Sequence, residues 1–197
     1  MSSIKRVSML ATVALAALAL TAASASAEIV DPSSGDPYVG DVAGVNTGAA
    51  PTLVTSTATI TCQGASTIGT MDGGAGTGEL DFAWNTCTTS GGTVNCSVNN
   101  ITGVDVRSDE GPAAPDFQII NTELGQTFIS CALVFNCTAS SNPANGSEVE
   151  ADVDGGADPV VTIADTVNVS GAGCPSTGQW NAQYLVTVPT NGLESNN

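Results

Sequence analysis

Five carboxylates crowd into the eleven residues Glu148-Val149-Glu150-Ala151-Asp152-Val153-Asp154-Gly155-Gly156-Ala157-Asp158. Asp152, Asp154 and Asp158, set around a Gly-Gly bend, offer hard oxygen donors of the kind that hold calcium. The spacing matches only a fragment of an EF-hand loop. The third acidic ligand before the glycine is missing, and the position that should carry a bidentate Glu holds Ile163. Read as a strand, the same run sends Glu148, Glu150, Asp152 and Asp154 to one face and Val149, Ala151 and Val153 to the other. That alternation describes a half-buried strand with a solvated side, the expectation here. Asp152, Asp154 and Asp158 are the candidate metal ligands, for calcium, and no other cofactor is expected.

Other chemistry is excluded by residue type. The chain has no His, and Lys5, Arg6 and Arg107 are its only bases. Without His it cannot build a Ser-His-Asp or Cys-His site or a His-ligated zinc, and without Lys beyond the first residues it has no Schiff-base nucleophile. Phosphate-cradling, dinucleotide and esterase-elbow motifs do not occur. Carboxylate pairs for a glycosidase are always available among 19 acids, so their presence selects nothing. Neither D-T-G nor D-S-G is present for an aspartic protease. Five N-x-[ST] matches, at Asn95, Asn100, Asn136, Asn145 and Asn168, are what an Asn- and Thr-rich chain produces by chance. The chain is read as a non-enzyme.

Met1 to Ala27 has the form of a secretory signal, with Lys5 and Arg6 before an apolar stretch from Met9 to Leu20 and Ala25-Ser26-Ala27 as the cleavage site. Its removal leaves 170 residues with 19 acids against Arg107, a formal charge of −18. So acidic a chain is not a partner for nucleic acid or anionic lipid, both of which are bound by Lys and Arg. The leader is too short to be a membrane span, so the expectation is a secreted, extracellular protein that is not membrane-embedded and could associate with the cell surface.

Six cysteines in an exported chain argue for three disulfides. Ser90-Gly91-Gly92-Thr93 reads as a two-residue hairpin loop, and numbering outward from it sets Cys87 opposite Cys96. Directly opposed residues lie within bridging distance, so a Cys87–Cys96 bond is expected. Ala132 to Asn136 has little turn chemistry and reads as strand, which would hold Cys131 and Cys137 about 20 Å apart. Those two should instead reach Cys62 and Cys174, in a pairing left open.

Beyond the leader, Glu28 to Pro51 is rich in Gly, Pro, Asp and Ser and reads as a flexible lead-in (28–51). A single β domain (52–190) and a polar tail (191–197) follow. Within the domain, Ala58, Ile60 and Cys62 alternate with threonines, and Leu80, Phe82 and Trp84 alternate with Glu79, Asp81 and Ala83. Trp84 and Cys87 have opposite parity, which a bulge near Asn85-Thr86 would reconcile. No stretch sustains a helical stripe. The fold class is all-β, an antiparallel sandwich or barrel of roughly eight strands held by disulfides.

Residues Gly173 to Thr187 follow the pattern G-C-P-[ST]-[TS]-x-x-W-x-A-x-Y-x-V-T. With the Thr59-Ile60-Thr61-Cys62 strand, Gly76 to Leu80 and Cys96-Ser97-Val98, this resembles a group of secreted actinobacterial proteins over roughly Thr55 to Pro189. The resemblance implies a secreted, disulfide-bearing β domain and attaches no activity. Ala-Leu-Val-Phe-Asn replaces the group's frequent Gly-rich turn between the fourth and fifth cysteines, which argues against a local bridge.

Trp180 and Tyr184 share one strand face, either as core or as a stripe on which a sugar could stack. Two functions are therefore expected. The first is an exported, non-enzymatic β domain with a structural, adhesive or surface-interaction role toward a protein or cell-surface partner. The alternative is a carbohydrate or small-molecule binding module, calcium-assisted if the acidic run binds metal. A secreted hydrolase using carboxylates is the weaker third.

Overall fold

The structure, a computed structural model, describes residues 28–73, 76–90, 92, 94–110, 116–132, 135–146 and 148–195. The signal segment expected at residues 1–27 lies outside the described residues. In chain order the strands are β1 (Ile29–Val30), β2 (Val39–Asn46), β3 (Thr52–Thr55), β4 (Thr59–Asp72), β5 (Thr77–Thr89), β6 (Asn95–Val98) and β7 (Ile101–Glu110). They continue with β8 (Phe117–Asn121), β9 (Gly125–Cys131), β10 (Phe135–Ser141), β11 (Glu150–Asp154), β12 (Val160–Ser170), β13 (Thr177–Val188) and β14 (Glu194–Ser195). Among the described residues the one helical element is a single 3-10 turn, Pro143–Asn145, and no helix is long and apolar enough to cross a membrane.

The pairings close an antiparallel barrel with eight positions around its wall. Four are filled by the long strands β4, β5, β12 and β13. Each of the others holds two shorter strands laid end to end: β3 with β2, β6 with β7, β9 with β8, and β10 with β11. Passing around, β5 pairs both β6 and β7, these pair β9 and β8, and those pair β10 and β11. Both of the last pair β12, β12 pairs β13, β13 pairs β2 and β3, and both return to β4, which pairs β5. Of the two architectures the alternation permits, the chain takes the barrel. Closure gives every wall strand a partner on both sides, so the wall has no open edge along its circuit.

Alternation places apolar side chains in the lumen and polar ones outside. One buried cluster, around Val42, Met71, Leu80, Val106, Phe117 and Val153, fills one end. The other, around Ile60, Ile129, Val167 and the cysteines, fills the opposite end. Trp84 and Cys87 both lie on the inner side despite their parity. The reversal falls at the exposed Asn85-Thr86, where Thr86 takes a positive φ of 46°. The register with β4 does not slip, because Cys62↔Cys87 and Gly64↔Asn85 belong to one ladder. β4 changes its inward parity at the same level, between Cys62 and Ala65.

Two boundaries are corrected. The stretch 28–51 is not a flexible lead-in: β2 is a wall strand with Val42 buried and Gly44 facing inward, and β1 pairs β14. Its apolar period was hidden because an inward position is glycine. A Cβ on Gly44 would lie 3.3 Å from Tyr184 Cβ and 3.0 Å from Thr67 Cγ2, so a larger residue there would crowd both. The stretch 191–197 is not a solvated tail over its described part. Leu193 is 4% exposed and packs with the fully buried Ile29, so the two chain ends together cover one mouth of the barrel.

Candidate functional site

All six cysteines are paired, as Cys62–Cys87, Cys96–Cys131 and Cys137–Cys174. The expected Cys87–Cys96 bond is corrected, although the register behind it is present: Cys87 faces Cys96, and Thr88 faces Asn95. Cys87 also faces Cys62 on its other side, and Cys96 faces Cys131. Each bonds to that outer neighbour. The expected two-residue loop is longer, since Thr89 N–H donates to Val94 O while Ser90 N–H donates to Thr59 O.

The strand expected to continue through Ala132 to Asn136, from Cys131 to Cys137, is corrected as well. β9 and β10 are separate antiparallel strands, with Phe135 opposite Cys131 and Cys137 opposite Ile129. β9 ends at Cys131 and β10 begins at Phe135, and the sequence between them has no Gly, Pro, Asn or Asp. Cys131 and Cys137 are nevertheless not bonded to each other.

The acidic run lies on β11 and the loop after it. Ala151 and Val153 are buried, and Glu150, Asp152 and Asp154 are exposed on the outer face, with Glu148 and Asp158 exposed beyond the strand. Asp152 Oδ1 accepts from Gln118 Nε2 at 2.9 Å. Among the described residues no three His, Cys, Asp or Glu side chains gather as a metal would require, so Asp152, Asp154 and Asp158 are not brought together.

The side chains that do converge are aromatic. Phe82 stands at the centre, 5.6 Å from Trp180, 6.1 Å from Tyr184 and 6.4 Å from Trp84 between ring centroids. Trp84 and Trp180 are half-buried, whereas Tyr184 is fully buried. The stripe expected from Trp180 and Tyr184 thus faces the lumen. Its parity on the strand was readable, but its meeting with Phe82 and Trp84 depends on β5 lying across the lumen from β13.

This cluster separates two interior cavities. One, of about 60 Å³, is lined by Trp84, Trp180, Leu53, Ile60, Ile129 and Val167 among others. The second, of about 80 Å³, is walled by side chains from all eight barrel positions, among them Met71, Phe82, Val104, Phe117, Val153 and Tyr184. Ile29 and Leu193 lie on its wall too, so the paired chain ends cover it. Among the described residues no charged side chain borders either cavity.

Most of the polar groups on the larger cavity are engaged. Asn121 donates to Ser141 Oγ at 2.9 Å and to Glu123 O at 2.7 Å, and its Oδ1 accepts from Val149 N–H at 2.6 Å. Thr67 Oγ1 donates to Asp81 O at 2.9 Å. The Tyr184 hydroxyl has no hydrogen-bond partner among the described residues. Burial disfavours its anion and pushes its pKa well above that of an ordinary tyrosine, so the group stays a neutral phenol.

Fold and lumen together define a closed, disulfide-bonded antiparallel barrel with an apolar, two-chambered interior. Compared with known proteins, the chain matches no family model, no curated protein and no solved structure.

Proposed function

We propose that the protein is an exported, non-enzymatic binding module that encloses a small, predominantly apolar molecule in its barrel. The observation that carries this reading is the 80 Å³ cavity walled by all eight barrel positions and bordered by no charge. Apolar cavities stay dry, and an engineered one of about 150 Å³ takes up benzene or xenon, so an apolar guest is the chemistry such walls favour. A sugar suits the lumen poorly, because its hydroxyls would lose water without gaining partners. Export is supported by the form of residues 1–27 and by three disulfides, which fit an oxidising compartment. Apolar residues inside and polar residues outside reverse the pattern of a membrane-spanning barrel.

A surface-interaction role is the second reading. It is supported by Val45, Ile68 and Val188, exposed at 47%, 58% and 39% on the adjoining strands β2, β4 and β13.

Xenon titration of the oxidised protein, followed by methyl NMR, tests the first reading. Shifts at Met71, Leu80 and Val153 are expected. Unmoved resonances there at saturating xenon would end it in favour of the outer surface.

A further inference from the structure

Resting on that reading, we infer that the larger chamber is built for a small apolar molecule carrying one hydrogen-bond acceptor oxygen, a ketone, ester or ether, which the Tyr184 hydroxyl meets. Tyr184 is 0% exposed, lines the chamber, and has a hydroxyl without a partner among the described residues. A buried hydroxyl without a partner is costly, and native interiors rarely keep one unless something else satisfies it.

The wall around Tyr184 favours the ring but offers the hydroxyl nothing. Phe82 packs edge-on at 6.1 Å, and glycine at position 44 leaves room beside Tyr184 Cβ. Asn121 and Thr67, which border the same chamber, already spend their donors on Ser141, Glu123 and Asp81. Water is a poor occupant, because a buried water needs two to four polar partners. A guest that fills the apolar space and presents one oxygen satisfies both parts of the wall. The neutral phenol donates to it, and no carboxylate or ammonium on the guest would find a counter-charge. The chamber's 80 Å³, about half the volume that takes up benzene, sets the scale at about four heavy atoms.

Acetone and isobutene serve as probes of nearly the same shape, one with a carbonyl oxygen and the other with a methylene in its place. Each is titrated by methyl NMR into the full oxidised protein and into Tyr184→Phe, with a thermal melt showing that the variant folds. Comparing each probe with itself in the two proteins removes the difference in their hydration. The expected result is that acetone binds about tenfold more weakly to Tyr184→Phe, the scale of one lost hydrogen bond, while isobutene is unaffected. If both probes bind and neither discriminates between the two proteins, Tyr184 is not a ligand-recognition group, although the lumen still holds guests. If neither probe nor xenon enters, the inference and the binding-module reading fail together.

Discussion

Cys87 and Cys96 stand directly opposite each other on neighbouring strands, yet each is bonded to the cysteine on its other side. Cys62, Cys87, Cys96 and Cys131 form a row across β4, β5, β6 and β9. A Cys87–Cys96 bond would strand Cys62 and Cys131 at the ends of that row, three strand spacings or about 14 Å apart. That is beyond the reach of a disulfide, and Cys137 is taken up by Cys174, so pairing all four cysteines of the row requires the two outer bonds.

The row makes the middle bond available once its competitors are gone. In a Cys62→Ser, Cys131→Ser double variant, Cys87 and Cys96 are expected to form a disulfide, with Cys137–Cys174 unchanged. Peptide mapping under non-reducing conditions checks this. Two free thiols in the folded variant would show that facing positions here are not close enough to bond.

Tyr184→Phe removes a buried hydroxyl that lacks a partner, so the ligand-free variant should be more stable, by about 1–3 kcal/mol in chemical denaturation. The effect depends on pH. Burial raises the folded-state pKa of Tyr184 above the unfolded value near 10, so its neutral form is favoured in the fold. That contribution is intact below pH 10 and is lost as pH rises toward the folded pKa. Wild type should therefore lose stability above about pH 10 more steeply than Tyr184→Phe. Parallel slopes in alkaline denaturation would contradict the burial of this phenol.

Leu193 and Ile29 cover one mouth of the barrel although they lie near opposite ends of the chain. Leu193→Ala should cost about 2–5 kcal/mol, the usual range for a buried leucine. Combined with Ile29→Ala, the loss should depart from the sum of the single losses by at least about 0.5 kcal/mol, since both belong to one cap. A negligible loss for Leu193→Ala would return residues 191–197 to solvent.

Asp152 and Asp154 point outward from β11, and Asp152 is engaged by Gln118. A thermal melt in excess calcium should show no shift that magnesium at equal ionic strength fails to reproduce. A calcium-specific rise of several degrees, abolished by Asp152→Asn with Asp154→Asn, would place a metal site on this strand.

Much of the wall was legible because period two is a local property. Ile60 with Cys62 and Leu80 with Phe82 face inward where their alternation places them, and β11 carries its acids outward. The parity conflict between Trp84 and Cys87 pointed to an irregularity near Asn85-Thr86, but the expected bulge is corrected: the ladder with β4 keeps its register, and the irregularity is the positive φ of Thr86. The break between β9 and β10 was not legible, because the sequence between Cys131 and Phe135 carries no turn chemistry. β2 was not legible either, since Gly40 and Gly44 interrupt the apolar pattern that would have marked it as a strand.

Residue types alone settle which chemistries are missing, that the chain is strand-forming, and which residues share a strand face, since each depends on composition or on neighbours in the chain. Closure into a barrel, the choice between Cys87–Cys96 and the two outer disulfides, the cap formed by Ile29 and Leu193, and the unpartnered Tyr184 hydroxyl come from the tertiary structure. These are relations between strands distant in sequence. Cys87 has two facing cysteines, and only the full circuit of pairings decides between them. Tyr184 is an ordinary strand tyrosine until seven other wall positions enclose it and none supplies a partner.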